Sequence, residues 1–250
     1  DTAPRIAPLA RADVQRLAGA QVVPDLRAAI KELVENALDA GATPSVRAER
    51  RRDAEVRCKN YGLDAIEVID NGAGIAPENF SAIGAAHPGA DAGRRHHTSK
   101  LVSFEDLAHV ATFGFRGEAL SSLCTVAHVS LHTATASDAP MGTVLELGHD
   151  GSLVSSDRRV ARQVRRPAPL TQRGTTVTLT HFMEPLPVRR RELEKHIKRE
   201  YGKAHAMLQA YALIAQGVRW ASSVTHADGR RVSQLVVRLS LYTSDAADEG

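Results

Sequence analysis

Cysteine is nearly absent from this 250-residue chain: Cys58 and Cys124 are its two, and no Cys-x-x-Cys spacing is present. A cysteine-built zinc site or a disulfide framework is therefore not expected, and a reducing compartment is the simple reading. Long apolar runs are missing as well. No stretch approaches the roughly 18 consecutive apolar residues of a membrane span, and no charged-then-apolar leader opens the chain, so neither a membrane anchor nor a secretory signal is expected. No Gly-x-x-x-x-Gly-Lys-Ser/Thr occurs, which argues against a P-loop nucleotide site, and the eleven histidines form no His-Glu-x-x-His metal motif.

What is present is an ordinary globular composition, 43% hydrophobic, enough in 250 residues to bury one substantial core. The formal charge is +3, but it is unevenly spread. Segment 158–173 carries Arg158, Arg159, Arg162, Arg165, Arg166 and Arg173 without an acid, and segment 187–205 carries seven Lys and Arg against three Glu. Such clusters can pair with nucleic-acid phosphates and release counterions without reading sequence; equally, they can be solvated faces.

Leu26, Ala29, Ile30, Leu33, Val34, Ala37 and Leu38 follow the spacing of a core-facing helical stripe, which predicts a helix over about 25–40. Pro24 and Asp25 suit its start, and Gly41 its stop, because glycine takes a left-handed conformation without a side-chain penalty. Glu32 and Asn36 fall about 40° apart beside the apolar stripe, with Asp39 on the same side, so all can border a cleft. A carboxylate there can take a proton from water, and a neighbouring amide oxygen can ligate Mg²⁺. On an isolated helix Glu32, Glu35 and Asp39 also describe a solvated face.

Residues 65–69 alternate as a strand does, and Asp70-Asn-Gly-Ala-Gly74 then demands a tight turn. Asp70 at the strand end can accept a hydrogen bond from an exocyclic amine such as that of adenine, with Gly72 and Gly74 letting backbone approach the base. Further on stand His96-His-Thr-Ser-Lys100 and Thr112-Phe-Gly-Phe-Arg-Gly-Glu-Ala-Leu120, a glycine-punctuated loop leading into an apolar helix. Amides at such a helix start attract phosphate, and Lys100 with Thr98 and Ser99 adds a cation and hydroxyls. Last, Gly174-Thr-Thr-Val-Thr-Leu-Thr180 reads as a β-branched strand.

This order of motifs resembles the ATPases shared by gyrase B, heat-shock chaperones, histidine kinases and MutL. Within that group, Gln21-Val-Val23, the run Lys31 to Thr43, the run Gly114 to Leu123 and Leu186-Pro-Val-Arg-Arg190 are similar to MutL mismatch-repair proteins. His96-His-Thr-Ser-Lys100 and Thr112-Phe-Gly-Phe115 look like their eukaryotic PMS branch. The resemblance implies a Bergerat-type ATPase fold, an α/β two-layer sandwich with a mixed, largely antiparallel sheet. It implies Glu32 as general base, Asn36 as Mg²⁺ ligand beside Asp39, and Asp70 on adenine, directly and through a water shared with Thr175 or Thr176. Gly72 and Gly74 would border the base. Gly114, Phe115, Arg116, Gly117, Glu118, Ala119 and Leu120 would wrap the phosphates, and Thr98, Ser99 and Lys100 would form a lid. ATP and Mg²⁺ are the implied cofactors. Implied partners are an MLH-type MutL homologue, a MutS-type mismatch-recognition complex and DNA without sequence preference, in the nucleus, with no membrane. A histidine kinase would need a phosphoacceptor helix upstream, and none is present; a DNA-binding module with a degenerate pocket is the non-enzymatic alternative, separable by nucleotide titration.

Two stretches depart from the family pattern. Segment 47–57 is charged and is expected to lengthen a loop or hairpin away from the pocket, and segment 84–95 adds residues immediately before the lid motif. Strands are expected near 65–69, 127–133, 142–147, 174–180, 218–225 and 232–237, and helices near 25–40, 104–109, 117–124 and 189–215. Residues 1–237 are expected to form the ATPase domain. Residues 238–250 have no core-forming period and look like a translated adapter. Without an initiating methionine the chain is expected to be a fragment at both ends, with the family's second domain, which supplies a lysine to the γ-phosphate, lying beyond it.

Overall fold

The computed structural model describes residues 11–41, 52–83, 119–138, 141–160, 173–215 and 217–237. The expected helix at 104–109, segment 84–95 and the tail 238–250 lie outside the described residues. Among the described residues, four α-helices, α1 (Arg11–Val22), α2 (Leu26–Ala40), α3 (Ala119–Val126) and α4 (Pro187–Ile214), accompany eight strands. The strands are β1 (Arg52–Lys59), β2 (Ala65–Asp70), β3 (His128–Ala134), β4 (Met141–Leu147), β5 (Leu153–Val160), β6 (Gly174–Thr180), β7 (Val218–Thr225) and β8 (Arg231–Val237). They form one sheet in the order β5-β4-β3-β6-β2-β1-β7-β8. Every neighbouring pair is antiparallel except β1 and β7, so the sheet is mixed and largely antiparallel.

Period-two alternation explains how the sheet acquires a core face. Val56 pairs with Val68, Val68 with Val177, and Val177 with Leu131, and this row belongs to the same apolar cluster as Leu26, Ile30 and Leu33 of α2 and Leu193, Ile197 and Leu208 of α4. The helices therefore cover one face. On the other, Glu55 takes Arg57 at 2.8 Å and Arg231 at 2.7 Å, and Asp53 takes Arg219 at 2.9 Å. Among the described residues, no helix is long and apolar enough to cross a membrane.

Two sequence expectations need correction, and two elements were not expected. Residues 52–57 are not a loop away from the pocket; they belong to β1, a central strand that forms a hairpin with β2, and the Asp53 N–H reaches Asn71 beside Asp70. Gly41 is not left-handed, with φ −89°; its missing side chain instead makes room for Arg52, whose Cδ would lie 2.9 Å from an added Cβ. Strand β5 and helix α1 were not foreseen at all.

Helix α2 begins as the sequence suggests, with the Asp25 carboxylate accepting the Ala28 N–H at 2.7 Å. Its Glu35 is not part of a solvated face but 7% exposed. The carboxylate of Glu35 takes Lys31 Nζ at 2.7 Å on one oxygen and the Tyr211 hydroxyl of α4 on the other, so a charged group locks the two helices together. Burial, helped by Glu35, pushes the Tyr211 phenol well above its usual range.

Tyr211→Phe keeps the ring and strips Glu35 of that donor. An unpaired buried carboxylate oxygen costs about 1–3 kcal/mol, which for a domain of this size lowers Tm by roughly 2–10 °C. A circular-dichroism melt checks this, and an unchanged Tm would show that the hydroxyl contributes nothing.

Candidate functional site

Asp70 is the last residue of β2 and shares its sheet face with Ala54, its cross-strand partner. One carboxylate oxygen, Oδ1, accepts the Gly72 N–H at 2.8 Å and the Thr175 N–H at 3.2 Å. The first is an Asx turn closing the loop on itself, and the second fastens the loop to the start of β6. Among the described residues no donor meets the other oxygen, Oδ2. Burial pushes the Asp70 pKa up to about 7, against the two N–H groups that favour its ionised form.

The loop after Asp70 is held on three further sides. Asn71 accepts the Asp53 N–H at 2.8 Å, which ties it to β1. Gly72 lies against the C-terminal end of α2, where an added Cβ would stand 2.8 Å from Ala40 Cβ, and the Ala73 N–H donates to the Ala40 carbonyl at 3.3 Å. Gly74 has φ +76° and passes so close to β3 that a side chain would run into the Ala134 carbonyl oxygen. Ile75 N–H then donates to Thr133 Oγ1 at 2.8 Å, and Thr133 Oγ1 lies 3.1 Å from Thr175 Oγ1.

These contacts place the candidate residues in relation to one another. Ala40 touches the loop, so Asn36 stands about 6 Å and Glu32 about 12 Å back along α2 from that contact. Glu32, Asn36 and Asp39 are all half-buried, and the Glu32 carboxylate lies 3.5 Å from Lys31 Nζ. Asp70, Gly72, Gly74 and Thr175 meet at the end of the sheet. Thr176 does not join them: it pairs with Ile69 and so lies on the opposite face from Asp70 and Thr175. Ala119 and Leu120 open α3, both half-buried. Thr98, Ser99, Lys100, Gly114, Phe115, Arg116, Gly117 and Glu118 lie outside the described residues. Thr133 and Asn71 were missed by sequence reasoning. Asn71 sits in the Asp-x-Gly-x-Gly run and its turn position was a usable signal, whereas nothing local distinguishes Thr133 from any other strand threonine.

Residues 25–147 match the family model described as histidine kinase-, DNA gyrase B- and HSP90-like ATPase. The chain is 42% identical over 224 residues to DNA mismatch repair protein PMS1 of Arabidopsis thaliana, covering 90% of this chain and 21% of that protein. It is 40% identical over 231 residues to mismatch repair endonuclease PMS2 of Homo sapiens, covering 92% of this chain and 23% of that protein. The chain belongs to the MutL family of mismatch-repair proteins. Within it, the likeness is to the PMS branch, of whose members the chain spans about a fifth to a quarter of the length. Among solved structures it resembles the N-terminal domain of a DNA repair protein at 32% identity and TM-score 0.70, covering 91% of this chain and 56% of that one. It shares its fold with the MutL ATPase domain of Aquifex aeolicus, at 24% identity and TM-score 0.51, over 94% of this chain and 65% of that one. The mixed sheet covered on one face is thus the Bergerat-type ATPase fold of the MutL proteins.

The sign of the Asp70 shift gives a test. The unfolded chain releases this proton near the ordinary value of 3.8, while the folded one keeps it to about 7, so folding takes up a proton between those limits. The contribution of Asp70 to stability is therefore fully present below about pH 4 and is lost as pH rises to about 7. The unfolding free energy of the wild type minus that of Asp70→Asn, from urea titrations in the absence of nucleotide, should fall across this window and level off above it. A difference that stays flat from pH 4 to 8 would refute the raised pKa.

Proposed function

We propose that this chain is the ATP-binding and hydrolysing domain of a MutL-type, PMS-like protein, working as an ATP-gated clamp. The observation that carries the reading is the Asp70 carboxylate. Its Oδ1 is held by two backbone amides while Oδ2 meets no donor among the described residues, which suits an acceptor for the amine of adenine. From that end, the α2 edge runs back through Asn36 to Glu32 over about 12 Å, which suits a nucleotide laid lengthwise with its phosphates toward Glu32. The solved Aquifex aeolicus MutL ATPase domain of the same fold is complexed with ADP.

Asn36 offers a hard amide oxygen on the half-buried edge between Glu32 and Asp39, a donor type that fits Mg²⁺. Mg²⁺, when bound, neutralises phosphate charge. Glu32 would take the proton from the attacking water, Thr175 and Thr133 would hold hydroxyls beside the base, and Thr98, Ser99 and Lys100 with 114–120 would serve as the lid and phosphate loop that the family resemblance implies. Nucleotide binding then favours the closed state by its differential affinity and promotes association with an MLH-type partner, and hydrolysis reopens the clamp. The partner, DNA bound without sequence preference, a MutS-type recognition complex and a nuclear location are part of the same proposal, which kinship with eukaryotic mismatch-repair proteins supports.

Glu32→Ala should bind ATP normally and hydrolyse it about a hundredfold or more slowly. Measuring single-turnover hydrolysis beside nucleotide affinity separates the two, and undiminished turnover removes Glu32 as the base. Asn36→Ala should lose the Mg²⁺-dependent part of nucleotide binding in a calorimetric titration. Wild-type affinity with Mg²⁺ in that variant would overturn the ligand assignment.

A further inference from the structure

We propose that His128, His181 and Glu184 form a binding site for a transition-metal dication of the zinc class, at the opposite end of the sheet from Asp70. Each of the three exposed side chains offers one donor atom, and these atoms all lie within 4.8 Å of one another. Thr180 lies five residues beyond Thr175 in β6, so the cluster stands about 17 Å along the strand from the Asp70 contact. It uses none of the residues assigned to the nucleotide.

The donor set selects the ion. Two imidazoles and a carboxylate are a three-ligand set that zinc accepts, whereas Mg²⁺ and Ca²⁺ prefer oxygen throughout. Drawing the donors in to the ~3.3 Å separation of a tetrahedral shell asks only for side-chain rotation, because all three are at the surface. The set contains no cysteine, so it is invisible to the spacing rules that argue against a cysteine-built zinc site.

The backbone beneath the donors is already fixed. His128 is the first residue of β3 and pairs in register with Thr180, the neighbour of His181. The turn that follows is pinned by Phe182 and Met183, 1% and 2% exposed, which plug the core between the two ligands. Met183 N–H donates to the Val126 carbonyl at 2.7 Å, and Glu184 N–H to the His181 carbonyl at 3.0 Å. His181 is held at φ +56° within this turn, in the left-handed region that few non-glycine residues occupy. Ligands that stand on anchored backbone lose little freedom on binding.

A further imidazole stands beside His128. The His149 ring lies 5.1 Å from that of His128, and its Nδ1 meets the Cys124 carbonyl at 2.9 Å. A carbonyl only accepts, so Nδ1 is the donor in that bond and Nε2 is the nitrogen left outside it, the orientation common to metal-ligating histidines. Water fills the fourth position. Bound metal would staple the start of β3 to the turn after β6.

The test uses the full chain, freed of metal by chelator dialysis and titrated with Zn²⁺ alone. About one equivalent should bind and raise Tm reversibly with EDTA, in the presence of excess Mg²⁺. Co²⁺ should give a visible d–d band that Zn²⁺ displaces. His128→Ala combined with His181→Ala should weaken Zn²⁺ binding by about a hundredfold or more and abolish the band. Glu184→Gln, nearly isosteric, should weaken binding on its own, and a matching metal-free melt shows that each variant folds. His96→Ala with His97→Ala should change nothing. Wild-type affinity in the His128/His181 double variant, or loss of binding in the His96/His97 one, overturns the proposal.

Discussion

One carboxylate oxygen joins the parts of this domain that make its site. Asp70 Oδ1 receives an N–H from Gly72 in its own loop and another from Thr175, 105 residues further along the chain. The same short run leans on Ala40 through Gly72, on β1 through Asn71 and on β3 through Gly74 and Ile75. A side chain at Gly72 or Gly74 would push the loop off the helix or off the strand, and Oδ2 would turn with it. The register of β2 against β6 matters equally, because pairing Val68 with Val177 is what delivers the Thr175 amide to Asp70. Slipping that register by one residue would bring Thr176 to the core face in place of Thr175.

Much of this was legible in the chain, for reasons that differ by element. Helix α2 announces itself because fifteen residues of 3.6-period patterning, an Asp cap and a polar edge agree. Strand β1 did not, although Ala54, Val56 and Cys58 alternate with Asp53, Glu55 and Arg57. Its charge density read as a solvated insertion because the residues that neutralise it, Arg219 and Arg231, arrive on β7 and β8 from the far end of the chain. Glu35 was hidden for the same reason: a buried acid is foreseeable only once Tyr211 is known to lie beside it. Long-range pairing, not local propensity, decided each of these positions. Within the site, Glu32, Asn36, Asp70 and the glycines could be named from type and spacing. Thr133 could not, since its role exists only where the ends of three segments meet.

The basic segment 187–205 also changes meaning once folded. Arg189 donates to the Ala20 carbonyl at 2.7 Å, and Arg190 to the Phe182 and Leu63 carbonyls at 2.8 and 3.1 Å. These two guanidinium groups fasten α4 to the rest of the domain. Arg199 and Lys203 both reach Glu200, and Lys195 lies near Glu192. A net charge of this kind contributes to a long-range positive potential without leaving a row of uncommitted cations along one helix face. Counting arginines in a linear segment therefore overstates what α4 contributes to phosphate contacts.

If Asp70 holds a base as proposed, its environment bears on which base the pocket would accept. Burial holds the proton on Asp70 until about pH 7, so the carboxyl stands near the point at which it changes from donor to acceptor. When ionised, Oδ2 only accepts, and at the place where adenine presents an amine, guanine would present a carbonyl oxygen and leave both groups unpaired. When protonated, the carboxyl can donate, and that discrimination weakens. On the proposed nucleotide reading, an adenine amine would stabilise the ionised form, so binding that base would expel the proton and sharpen the selection that the free pocket makes only partly. The burial that makes the carboxylate costly to ionise in the empty pocket is thus the same burial that makes its hydrogen bond selective once a base is present.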